Sequence, residues 1–151
     1  MNNWDSDMKN ETSIYLALIF IFIFSGFASA QVNEKDAKTT TESFFSLCKK
    51  NNFKESSKLL AYLGTDNARL YNDVYNANNP DEYKVVRRIC KKINATLLIS
   101  DSYSFGKFGN KDIRGKKVQF LEVQFSSGSQ KIKHYVYFIE IKNKVVIFDY
   151  N

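Results

Sequence analysis

The run at 131–142, KIKHYVYFIEIK, constrains this chain more than any other stretch. It is rich in β-branched and aromatic residues, which suit a pleated, half-buried surface. Two runs of the same kind flank it, KVQFLEVQF at 117–125 and KVVIFDY at 144–150, with short polar turns between them. The centre of the middle run, Tyr135-Val136-Tyr137-Phe138-Ile139, is apolar on both faces. That predicts an inner strand of a sheet covered on both sides.

The chain upstream reads as helices. Asn33 and Asp36 form a start signal, and Ala37, Thr41, Phe44, Phe45 and Cys48 then share one face at helical spacing. Asn51-Asn52 breaks that helix. Asn52 with Glu55 resembles a capping box and opens a short second helix with Phe53, Leu59, Leu60 and Leu63, stopped by Gly64. Ala68, Leu70, Tyr71, Val74 and Tyr75 within 65–79 predict two or three further helical turns before the loop NANN. Asn79-Pro80-Asp81-Glu82 combines a cap, a proline at the first helical position and acids in the first turn. The helix it opens should bury Tyr83, Val86, Ile89, Cys90 and Ile93. Beyond Ala95 everything reads as strand. Leu97, Ile99, Tyr103 and Phe105 share a face with Asp101 among them, and 106–115, GKFGNKDIRG, reads as a flexible basic loop. Helices followed by a four-stranded meander make an α+β fold, with N-terminal helices packed on one face of a curved antiparallel sheet.

The chain is not all of one kind. Residues 14–24, IYLALIFIFIF, are an apolar core too short to span a bilayer comfortably, and Ala28-Ser29-Ala30 follows. This predicts a secretory signal at 1–30, cleavage before Gln31, and a single exported domain at 31–151, periplasmic or secreted, with no membrane span after cleavage. The acidic start (Asp5, Asp7, Glu11) fits a signal poorly, and Met8 is the better initiator. The first 30 residues hold one of the 22 basic and three of the 16 acidic residues, so the remaining 121 carry 21 against 13, a net +8. Export argues against nucleic acid as the partner of that charge. It leaves acidic envelope surfaces, an acidic partner, or simply a solvated basic surface. Cys48 and Cys90 either pair, as an oxidising compartment permits, or pack as two buried thiols.

No metal-ligand cluster, nucleophile elbow or phosphate loop is present, so no cofactor is expected. The candidate site residues are polar interruptions of apolar strand faces. A two-residue turn at Gly128-Ser129 sets Phe125 against Ile132, Val123 against His134 and Leu121 against Val136. A tight turn at Asn143 then puts Val145, Ile147 and Asp149 on that same face. His134 and Asp149 should thus lie on neighbouring strands facing the helices, where a carboxylate that orients a histidine assembles a general base. The plainer reading is a half-exposed histidine near the end of the sheet and a solvated C-terminal aspartate. Asp101 is the alternative carboxylate. His134, Asp101, Tyr103 and Asp149 are the expected pocket residues.

The order of elements, with NNFKESSKLL, the later helix EYKVVRRICKKI and the closing KVVIFDY, resembles the nuclear-transport-factor-2-like (cystatin-like) superfamily, in particular its small secreted bacterial domains. The resemblance implies a sheet curled around a long helix into a cone with a pocket at its open end. Some members are isomerases, dehydratases or cyclases, and many are non-catalytic binding or dimerisation modules. The early hairpin of larger relatives is missing here, and the Tyr and paired Asp residues of the ketosteroid isomerases have no counterpart. The leading expectation is an exported, non-catalytic binding module. It would hold a small ligand in the cone, or bind a protein partner or a second copy across the sheet through Tyr135, Tyr137, Phe120 and Val118. The alternatives are a small isomerase or lyase using His134 with Asp149 or Asp101, and an envelope inhibitor or immunity-type protein.

Overall fold

The computed structural model describes residues 32–113 and 115–151; the expected signal segment and its cleavage point lie outside them. Helix α1 (Glu34–Lys49) opens on Asn33, whose side chain accepts from the Asp36 amide at 2.9 Å. The predicted face of α1 is the buried one. The chain turns at Asn51, with φ +54, and enters α2 (Phe53–Ser57). Only half of the capping box forms. Asn52 accepts from the Glu55 amide, but the Asn52 amide donates to Leu47 O and the Glu55 carboxylate takes Lys58.

The second helix stops well short of Gly64. The Ser56 and Ser57 hydroxyls bond back to Asn52 O and Lys54 O, an alternative to further helix. The chain then leaves to meet the sheet. Residues 65–79 likewise do not form the expected helix. Two successive turns close there, on Asp66 O and on Arg69 O, and Tyr71, at φ +63 within the second, breaks the helical path. The third helix, α3 (Pro80–Leu98), starts on the predicted cap, Asn79 accepting from the Asp81 and Glu82 amides. It runs further than expected, so Leu97 lies in the helix and Ile99 caps it rather than opening a strand. No glycine or proline stops it there, and Leu97, four residues after Ile93, packs against the same core.

Four strands follow as an antiparallel meander in the order β1 (Ser102–Ile113), β2 (Lys116–Ser127), β3 (Gln130–Ile141), β4 (Lys144–Tyr150). The supposed basic loop at 106–115 is largely the second half of β1, broken by an irregularity between Phe105 and Phe108. Its glycines lie under side chains of β2: a Cβ on Gly106 would meet Glu122 Oε1 at 2.6 Å, and one on Gly109 the Phe120 ring at 3.0 Å. The β2–β3 register is the predicted one, with Gly128 at φ +55 in the turn. Lys142 and Asn143 both take positive φ, as a primed two-residue hairpin turn demands.

The sheet is covered on both faces. On one, Phe44, Phe45, Val86 and Ile93 of the helices meet Leu121, Val123, Phe125, Val136, Phe138 and Ile147. On the other, Ala61, Leu63, Tyr71 and Val74 from the segment after α2 pack with Tyr137, Ile139, Val146 and Phe148. That is why the centre of the middle run is apolar on both faces. The same segment shields the β4 edge: the Ala61 amide donates to Ile147 O and the Ile147 amide to Leu59 O, each at 2.8 Å. Cys48 and Cys90 are disulfide-bonded, with Cα atoms 4.7 Å apart, joining α1 to α3 in the core.

Candidate ligand site at the open end of the sheet

The expected His134–Asp149 pair is not assembled, and the reason is local. Phe138 pairs with Ile147 but Tyr137 pairs with Asp149, so β4 carries one extra residue there. Such a bulge reverses the in–out phase of everything beyond it. Val145 and Ile147 face the helices as predicted. Asp149 instead sits opposite Tyr137 on the far face, exposed, with its Oδ1 accepting from the Tyr150 amide.

Tyr150 takes the inward place. Its ring lies parallel to that of His134, 5.0 Å between centroids and 5° between planes, and edge-on to Phe45. Phe125 meets the other side of the imidazole edge-on at 5.5 Å. His134 does face Val123, as the register required. Both His134 Nδ1 and the Tyr150 hydroxyl are buried without a hydrogen bond of good geometry. Burial pushes the Tyr150 hydroxyl up to about 12, and the nearby Thr96 hydroxyl offsets a little of that. A raised phenol favours the neutral folded form, so its contribution to stability is full below about pH 10 and is lost as pH rises toward 12. Tyr150→Phe should reduce that alkaline step, leaving what Tyr75 and Tyr103 contribute, while changing stability at pH 7 by less than about 1 kcal/mol, since a buried hydroxyl that makes no well-formed hydrogen bond gains the fold little. Urea titrations at pH 7 and pH 11 check it; an unchanged alkaline step in the variant would assign it elsewhere.

Asp101 is exposed and lines neither cleft at this end. Its Oδ2 accepts from the Gly128 amide at 2.7 Å and its amide donates to Ser126 O, so it holds the β2–β3 turn against the start of β1. Tyr103 does line a cleft. Its ring is edge-on to Phe45 at 5.5 Å and 5.9 Å from Phe125, and burial, with the Glu42 charge, raises its hydroxyl pKa.

Two clefts open at this end. The larger, about 400 Å³, is lined by Glu42, Phe45, Ser46, Lys49, Leu97 and Tyr103, with Lys50 beside them. The smaller, about 190 Å³, is bounded by Ile99, Phe125 and Ile132 and by the polar side chains of Thr96, Ser126 and Gln130. Phe45, Phe125 and Tyr150 were missed as site residues because their spacing is that of ordinary core positions. Among the described residues no group of three or more His, Cys, Asp or Glu side chains is placed to hold a metal ion, and no helix is long and apolar enough to cross a membrane. No protein-family model, curated protein or solved structure matches this chain.

Proposed function

We propose that this chain is an exported, non-catalytic binding module of the nuclear-transport-factor-2-like type. It holds a small, largely apolar ligand with an anionic group in the cleft between α1, the end of α3 and the start of β1. The observation that carries this reading is the larger cleft itself. It has an aromatic floor of Phe45 and Tyr103, Leu97 as an apolar wall, and Lys49 and Lys50, which outnumber Glu42, to meet the anion. Its volume lies in the range of small-ligand sites. The buried disulfide is compatible with export.

The enzymatic alternative loses support, because Asp149 lies on the far face from His134 and Asp101 is engaged by the Gly128 amide. A partner across the sheet is disfavoured because Val118 and Tyr137 are already buried in the second core. Anilinonaphthalene sulfonate, an apolar anion, tests the reading. The folded protein should bind it saturably with a blue-shifted emission, and Ser46→Trp, which fills the cleft from an exposed helical position, should weaken binding at least tenfold. Saturable binding left intact by Ser46→Trp, or none at all, would overturn it.

A further inference from the structure

Large apolar side chains are exposed at few places among the described residues: Tyr83, Leu98, Ile99, Tyr103 and Ile132. All but Tyr83 lie at the open end. Leu98 and Ile99, 74% and 68% exposed, end α3, and Ile132, 51% exposed, faces Ile99 across the smaller cleft. A lone exposed leucine means nothing, but three aliphatic side chains gathered at one tip form a patch.

The charges around that tip are mainly positive. Lys49 and Lys50 close α1 beside Leu97, and the Lys92 ammonium lies 5.6 Å from the Tyr150 ring. Lys131, next to Ile132, pairs with Ser126 at the hairpin's end. The acids nearby are Glu42, in the larger cleft, and Asp101, which accepts from the Gly128 amide and keeps its charge, so the lysines outnumber them. Aliphatic side chains that enter the headgroup boundary, ringed by lysines that meet lipid phosphates, are the two components of interfacial binding.

We infer that this end of the molecule docks on an anionic lipid bilayer, with Leu98, Ile99 and Ile132 entering the interface and the surrounding lysines contacting the headgroups. The inference uses the exposed tip and does not depend on the larger cleft holding a ligand.

Co-sedimentation of the detergent-free soluble protein with vesicles tests it. Binding to 1:1 phosphatidylglycerol–phosphatidylcholine vesicles should exceed binding to phosphatidylcholine alone by at least tenfold, and 0.5 M salt should abolish the difference. Leu98→Asp/Ile99→Asp should lower partitioning at least tenfold with an unchanged circular dichroism spectrum, because both side chains are exposed. Lys49→Gln/Lys92→Gln should lower it by roughly fivefold per lysine. Leu98→Asp/Ile99→Asp leaves every residue that lines the larger cleft in place, so failure of the ligand reading and failure of this one are separable. No binding to the anionic vesicles would overturn the inference. So would equal binding to both compositions that survives Leu98→Asp/Ile99→Asp, which assigns attachment to a part of the chain outside this tip. A concentration-dependent dimer that the same double variant dissociates would give the patch to a second copy and overturn it as well.

Discussion

Removing the Cys48–Cys90 bond should lower the stability of the fold by about 4 kcal/mol. The bond closes a separation of 42 residues, and the chain-entropy relation gives that figure for a loop of this size. In a domain of this length the loss corresponds to a fall in Tm of roughly 12–20 °C. The measurement is urea unfolding of the oxidised protein against the Cys48→Ala/Cys90→Ala variant. Both sulfurs are fully buried, so the variant also loses a little packing, and reduction with alkylation of the unfolded chain is the control. Two free thiols on titration of the denatured, unreduced protein would refute the bond.

Arg69→Ala should be nearly as damaging, at about 3 kcal/mol. The Arg69 guanidinium is the hub of the segment after α2. It donates to both Glu82 oxygens at 2.7 and 3.1 Å, to Asp73 at 3.0 Å and to Val74 O at 2.9 Å, and it lies 4.2 Å from the Tyr62 ring centroid. Glu82 is only 8% exposed. Taking the arginine away leaves that carboxylate with the Asn76 amide as its remaining donor across the loop. The hydrogen bonds from Arg69 hold Glu82 below the usual glutamate range, against the opposing effect of burial. A depressed carboxylate stabilises the fold above its unfolded pKa, so this contribution should be complete above about pH 5 and decline as pH falls through and below 4.3. Glu82→Gln should flatten that acid limb. Arg69→Met/Glu82→Leu, which leaves no buried charge behind, should recover much of the loss. Stability measured from pH 7 to pH 3 on the three variants tests all of this, and an Arg69→Ala variant as stable as the parent would dismiss the network.

What could be read from the amino acids was whatever depends on local pattern. Asn33, Asn52 and Asn79 announced three helix starts, and the Gly128 turn fixed β2 against β3 to the residue. The errors fell where tertiary contact decides. β1 continues through Gly106 and Gly109 because β2 pairs with it and lays Glu122 and Phe120 over the two glycines, and a glycine-rich basic string looks like a loop until that partner is known. Residues 59–61 left the helix to pair with Ile147, far away in the chain. A bulge in β4 leaves no mark in KVVIFDY, yet it exchanged Asp149 for Tyr150 at the site. The candidate chemistry changed with it, from an acid–base pair to a stack of aromatic rings.

The shielding of β4 by Leu59–Ala61 also sets an order of events in folding. Each hairpin of the meander closes between neighbours in sequence, which is fast and needs nothing from the helices. The Leu60–Ile147 bridge instead joins the early part of the chain to its last strand, so its loop-closure entropy must be met first. The segment that carries Arg69 cannot take its final place until β4 exists. A chain shortened by its last seven residues would lose more than an edge strand: the covering of the second face would have nothing to close on, and Tyr137 and Ile139 would be left open to other chains. The covering of the second face is therefore the last part of this fold to settle, because the segment that supplies it waits for β4 to be paired.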